Sequence, residues 1–342
     1  MRVVAGQVPA LTDEFCIFAA QLGLAGVQVN TPSLPGRHRW EVADLVALRT
    51  QAERFGLALE AIENIPTFFY DDVMLDGDRR DEQIASVAQT IRHLAAAEIP
   101  VLGYCFMPNS VWRTGVGPHG RGGAVVTSYD DAVIHDPRRQ DEIWVARRDE
   151  HLENVWVPGP WNGLPQATSA QMWDRHSRFM EALIPVAESE GVRLALHPDD
   201  PPVDALGGIG RIFTSVDALE RAADQFTSPA WGFDLCLGTV SEMGGEDAVL
   251  RSIRALGKRS KIFYVHLRDV IGTVPKFSEC FLGEGNYDPL RVVGELQRVG
   301  FDGFLMDDHV PQTVGDSDWM HRGRAHAIGY IQALLHAATP SP

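Results

Sequence analysis

The sequence predicts an α/β fold closed as a (β/α)8 TIM barrel, in one domain spanning residues 1–342. Three observations carry this. Short β-branched runs alternate with longer stretches of helical period, eight of each. Alternation at that spacing implies a parallel sheet with right-handed crossovers, and eight units favour closure over an open sheet. The first run is not followed by a GxGxxG turn, which argues against an open dinucleotide-binding sheet.

The candidate strands, in order, are Val3–Val8, Gly26–Asn30, Leu57–Asn64, Val101–Met107, Val192–His197, Trp231–Cys236, Ile262–Leu267 and Gly303–Asp308. Between them the periodicity shifts to about 3.6. In Asp81–Ala97 the apolar positions Ile84, Val87, Ala88, Ile91, Leu94 and Ala95 form one stripe, with Asp81 expected as its cap. Asp288-Pro289 ahead of Leu290, Val293 and Leu296 reads as a cap followed by proline in the first turn. Ser215 ahead of Val216 and Leu219 reads as another cap.

One stretch breaks the rhythm. Residues 108–168 contain Gly115, Gly117, Gly120, Gly122 and Gly123 together with Trp112, Trp144, Trp156 and Trp161. An insertion this long in a compact domain is functional or disordered, and its aromatic content favours order. Because it follows strand four, it belongs to the face on which barrel active sites are built. It is read either as a lid over the mouth or as an oligomer contact, and a homo-oligomer is expected.

Composition narrows the partners. The four cysteines, Cys16, Cys105, Cys236 and Cys280, are far apart and lack a CxxC pair, so reduced thiols and a cytoplasmic location are expected. The N-terminal residues do not read as a signal peptide, and no apolar run of about 18 residues suggests a membrane span. A formal charge of −16 disfavours nucleic acid and anionic lipid as partners. An anionic small substrate remains compatible, provided that positive charge meets it locally.

Side chains at the C-terminal ends of barrel strands point into the mouth. The last four strands each end in a residue able to bind metal: His197 in LALHPDDPP, Cys236 in WGFDLCLGT, His266 in FYVHLRDV and Asp308 in FLMDDHVP. Singly, a strand-end histidine or cysteine is more often a satisfied buried group. Four in succession at equivalent positions reverse that, and two imidazoles, a thiolate and a carboxylate suit a borderline divalent ion. Asp199, Asp234 and Asp307 are candidates to orient these ligands, whereas Asp200 and Asp269 read as loop caps or surface charges. His309, next to Asp308, is the candidate acid/base group. Arg113 and Arg268 could grip a substrate carboxylate as a fork, and Trp112 and Asn64 complete the candidate substrate contacts.

At these residues the sequence resembles the mannonate dehydratase family, metal-dependent barrels related to the xylose-isomerase-like sugar isomerases. The resemblance runs from about Leu59 to Leu334 and is carried by ALHPDDPP at Ala195–Pro202, FDLCLGT at Phe233–Thr239, VHLRDV at Val265–Val270, the pair Asp308-His309, and YCFMPNSVWRTG at Tyr104–Gly115. It implies metal ligands at His197, Cys236, His266 and Asp308, manganese as the ion and a small anionic sugar acid as substrate. The implied reaction removes water across C2 and C3 of an aldonic acid, D-mannonate or a close relative, with His309 in acid/base work. Three positions depart from the family pattern: Met306 stands where an arginine is usual, Ala325 where a tyrosine is usual, and Phe281 where a histidine follows the retained Phe277–Glu279 motif. The nearby candidates at that place are Arg324, His326 and Tyr330, and His326 is the candidate understudy for His309 in acid/base work. A metal-dependent sugar isomerase or epimerase, and a non-catalytic sugar-acid-binding barrel, are the competing expectations.

Overall fold

The computed structural model describes residues 1–149 and 152–338. Residues 150 and 151 of the expected insertion and 339–342 of the expected domain lie outside the described residues. Eight parallel strands form the centre: β1 (Arg2–Val4), β2 (Gly26–Asn30), β3 (Ala58–Glu63), β4 (Val101–Tyr104), β5 (Arg193–Leu196), β6 (Trp231–Cys236), β7 (Ile262–His266) and β8 (Phe304–Met306). Neighbours follow the order β1-β8-β7-β6-β5-β4-β3-β2, and a parallel bridge between Ala5 and Val27 joins β1 to β2. The expected TIM barrel is the observed fold.

Eight helices cover the ring: α1 (Asp13–Gln21), α2 (Val42–Glu53), α3 (Arg80–Ala96), α4 (Ser169–Glu190), α5 (Val216–Gln225), α6 (Leu237–Gly257), α7 (Pro289–Arg298) and α8 (His321–Ala338). Several of their starts are set by side chains that satisfy the otherwise unpaired first amides. Thr168 and Gln171 form a capping box on α4, Ser215 caps α5, and Asp288 caps α7 with Pro289 in its first turn. Asp81 is not a cap: α3 begins one residue before it, and Asp81 instead pairs with Arg80 on the surface.

Apolar side chains on the outer faces of the strands pack under the helices, while Val4, Ala61, Val101, Ala195, Phe263, Tyr264, Phe304 and Met306 fill the barrel interior. Toward the C-terminal ends the interior turns polar, with Gln28, Asn30, Glu63, Asp234 and His266 all buried. Several strands stop earlier than the sequence suggests. Beyond β1, Gln7 takes φ 61°, and beyond β3, Asn64 takes φ 62°. A left-handed residue turns the chain out of the ladder and aims the side chains around it across the mouth.

Among its described residues, the segment after β4 carries five short strands. Trp112–Arg113, Trp144–Asp149 and Leu152–Pro158 form one antiparallel sheet. Gly115–Gly117 and Val126–Asp130 form another with the hairpin Val270–Thr273 and Lys276–Glu279 that follows β7. Among the described residues, no helix is long and apolar enough to cross a membrane.

Candidate active site and metal centre

Strand register assembles the site. Cys236 and His266 are cross-strand partners at the ends of β6 and β7, His197 follows the last residue of β5, and Asp308 lies two residues past β8. Donor atoms of His197, Cys236 and His266 lie within 4.8 Å of one another. Asp308 Oδ2 is 3.6 Å from Cys236 Sγ and 3.7 Å from His266 Nδ1. Ligands held at about 2.0–2.3 Å around a tetrahedral first-row ion stand roughly 3.3–3.8 Å apart, so this spacing suits a shared cation.

The histidine tautomers point the same way. His197 Nδ1 lies 2.7 Å from the Pro198 carbonyl, which can only accept, so the hydrogen sits on Nδ1 and the Nε2 lone pair is free for an ion. His266 Nε2 lies 2.9 Å from Glu63 Oε2 and 3.4 Å from Asp234, whereas its buried Nδ1 has no hydrogen-bond partner among the described residues. A carboxylate behind a ligating imidazole fixes ring and tautomer in metal sites. Glu63 is itself held by the Gln7 and Gln28 amides, which donate to its Oε2.

Electrostatics prepares the anionic donors. Burial pushes the Cys236 thiol up, but the Arg268 guanidinium and His197 outweigh it and hold the thiol well below its usual range. Cys236 also occupies the N-cap of α6 and accepts from the Thr239 amide, a position that favours thiolate. Asp308, despite burial, is held down by His309, His266 and Arg268. Burial pushes the Asp234 and Glu242 carboxyls well above the usual carboxylate range.

A narrow cleft opens onto this cluster. Gln7, Asn30, Glu63 and Asn64 line one side, and His197, Asp200, Asp308 and His309 line another. Cys105, Met107 and Val111, at the start of the long segment, close it. Asn64 is buried, and its Oδ1 has no partner among the described residues. His309 keeps 34% of its side chain exposed, and its Nδ1 lies 2.6 Å from Glu279 Oε1.

Other expected contacts are arranged differently. Arg113 is fully buried and forks onto Asp200 at 2.6 and 2.8 Å, so it has no free fork for a substrate carboxylate. Arg268 is spread over Asp200, Glu279 and Asp308 behind the cleft wall. Trp112 packs with Val133, Ile143, Val145 and Leu206 in a separate cluster and donates to the Asn109 carbonyl. His326 is exposed on α8 and packs on Phe281 at 5.1 Å; it does not line the cleft but a small crevice on the other side of His309, which lines both. Asp200, expected as a loop cap or surface charge, is buried and held between two arginines. Asp269 is buried as well, and it does cap a loop: it accepts from Ser241 and from the Val270 and Tyr287 amides. Gln7, Asn30 and Glu63 were not anticipated, and Glu279 only as part of the retained Phe277–Glu279 motif, with no role given to it. Polar residues inside buried strand sequences, such as GVQVN at Gly26–Asn30, were the available signal.

The family model for D-mannonate dehydratase (UxuA) matches residues 18–341. The chain belongs to the D-mannonate dehydratase family. Relatives in that family include mannonate dehydratase 2 of Halalkalibacterium halodurans, 31% identical over 86% of this chain and 84% of the relative. Mannonate dehydratase of Thermotoga neapolitana is 30% identical over 91% of this chain and 88% of the relative. The crystal structure of mannonate dehydratase from Streptococcus suis serotype 2 superposes with a TM-score of 0.81 at 25% identity, covering 100% and 97% of the two chains. D-psicose 3-epimerase from Clostridium cellulolyticum H10, at 14% identity and a TM-score of 0.61, shares the fold alone. Mannonate dehydratases are metal-dependent hydro-lyases, which fits a donor set of two imidazoles, a thiolate and a carboxylate.

Proposed function

We propose that this chain dehydrates D-mannonate to 2-keto-3-deoxy-gluconate and water, with manganese held by His197, Cys236, His266 and Asp308. The observation that carries the reading is the convergence of those four donors at a cleft that, among the described residues, no lysine or arginine lines. A sugar acid entering this cleft meets no guanidinium or ammonium group in its lining among the described residues, because Arg113 and Arg268 are taken up by the protein's own carboxylates, so a cation held by the four donors would receive it. When bound, the ion supplies positive charge against the substrate carboxylate, which lowers the cost of removing the weakly acidic C2 proton.

The side chains do the rest. His309 donates Nδ1–H to Glu279, and its Nε2 lies 3.7 Å from Asp308 Oδ1, beside the donor cluster, so it is assigned the transfer of the proton lost from C2 and of the proton that leaves with the C3 hydroxyl as water. The resulting enol becomes the keto acid without further help from the protein. Asn64 Oδ1, buried and unsatisfied, suits a substrate hydroxyl, and Gln7 and Asn30 add amides on the same wall. Arg113 and Arg268 act on the protein's own carboxylates.

The test offers D-mannonate and its aldonate epimers to the manganese-loaded enzyme. Keto-acid release is followed by ultraviolet absorbance and sugar stereochemistry by NMR. Keto acid from D-mannonate supports the reading. Epimerised aldonate with no keto acid replaces it with an epimerase.

A further inference from the structure

We propose that Glu279 is a positioning residue for His309: its carboxylate sets which ring nitrogen carries the hydrogen and aims the other into the cleft. The inference rests on the reading of His309 as the proton-transferring group. It is carried by the 2.6 Å contact between Glu279 Oε1 and His309 Nδ1. An ionised carboxylate only accepts, so this contact leaves Nε2 as the nitrogen available to substrate.

That one oxygen is held by more than the imidazole. Arg268 Nη1 donates to Oε1 at 2.9 Å, and Arg113 Nη2 lies 3.5 Å from it. Glu279 is 5% exposed, and turning it away would strand charge on two buried guanidinium groups. The arginines are fixed in turn: both reach Asp200, and Arg113 Nε donates to Thr127 at 3.0 Å.

The backbone explains why the long segment after β4 bears on this contact. Glu279 ends the strand Lys276–Glu279, whose partners are Val270–Thr273 on one side and Val126–Asp130 on the other. The segment thus contributes the neighbouring strand, Thr127 and Arg113. Its sheet is a scaffold that holds an acceptor behind the imidazole. A carboxylate serving only as counter-charge to the two arginines would not couple to His309, and this separates the two readings.

The experiment is a double-mutant cycle on D-mannonate with Glu279→Ala, Glu279→Gln, His309→Asn and the Ala/Asn double variant, with bound metal measured for each. Glu279→Ala is expected to lower kcat by about 10²–10³-fold, with KM within about threefold and metal content unchanged. In Glu279→Gln the amide oxygen can take the place of Oε1, so about tenfold or more of that loss should return. In the His309→Asn background, Glu279→Ala should cost less than about twofold further, because the partner it positions is gone. An equal loss in both backgrounds, or wild-type kcat in Glu279→Ala, overturns the proposal. Should Glu279→Ala fail to fold, Glu279→Gln and Glu279→Asp take its place in the cycle. A readout that needs no turnover is the nitrogen NMR spectrum of labelled histidine in the zinc-loaded protein. Hydrogen on His309 Nδ1 in the wild type, lost in Glu279→Ala, is expected; hydrogen on Nε2 in the wild type overturns the dyad. If His309→Asn itself turns over normally, the acid/base reading falls, and the spectrum still decides whether Glu279 sets the tautomer.

Discussion

His266 Nδ1, without a hydrogen-bond partner among the described residues, lies 3.7 Å from Asp308 Oδ2, while its other nitrogen is occupied by Glu63. A buried imidazole with a free lone pair beside a carboxylate is unsatisfied as it stands, and a cation between them would satisfy both. His197→Ala, Cys236→Ala, His266→Ala and Asp308→Ala are each expected to lower bound metal in elemental analysis. Glu63→Gln, one step behind, is expected to weaken metal affinity by about 10–100-fold while the fold persists. A full complement at wild-type affinity in any of the four alanine variants would remove that residue from the site.

His309 and His326 should separate cleanly. His309→Asn is expected to lower kcat by about 10²–10⁴-fold with metal retained, the range for loss of a positioned acid or base. His326→Asn is expected to stay within about twofold of wild type, because the ring is exposed on α8 and packs on Phe281 outside the cleft. Steady-state kinetics of the two variants side by side checks this. The opposite order of effects would move the proton transfer to α8.

The same comparison shows what could be read from the sequence. His197, Cys236, His266 and Asp308 were legible because each ends a strand of strong β character, and strand ends of a barrel share one mouth. Arg113 and Asp200 were not. In one dimension they look like surface charges on an acidic protein, and only the fold brings them together across 87 residues. Glu279 was visible as part of the retained Phe277–Glu279 motif, but its pairing was not, because its partner His309 is 30 residues away and belongs to a different strand end. Glu63 ends a strand just as the four donors do, but a search for ligands passed over the residue that orients one.

Arg113 gives a stability prediction. Removing it leaves Asp200 and Glu279 buried with Arg268 as their remaining guanidinium, and breaking a buried pair costs about 3–5 kcal/mol. Arg113→Met should therefore lower the unfolding free energy by about that much in urea denaturation, with KM for D-mannonate changed little in the folded fraction. A large rise in KM at unchanged stability would return Arg113 to the substrate.

His176 gives a pH dependence away from the site. Its ring is buried against Phe106, Phe213 and Phe226, and its Nε2 lies 3.0 Å from the Tyr104 hydroxyl. Burial pushes its pKa down to about 3, from 6.5 in the unfolded chain. The folded state resists protonation that the unfolded state accepts, so this stabilisation is complete above pH 6.5 and is lost as pH falls toward 3. Between pH 6.5 and pH 5 the wild type should lose about 2 kcal/mol more unfolding free energy than His176→Phe, at about 1.4 kcal/mol per unit. Parallel losses in the two proteins would mean that other groups carry the acid sensitivity.

The most direct test of the central claim is the rate of keto-acid release from D-mannonate as manganese is returned to chelator-stripped enzyme. The account predicts no turnover without metal, a linear rise in rate, and saturation at one ion per chain. Turnover that is indifferent to chelation, or a fully loaded enzyme that releases no keto acid from D-mannonate, would contradict it.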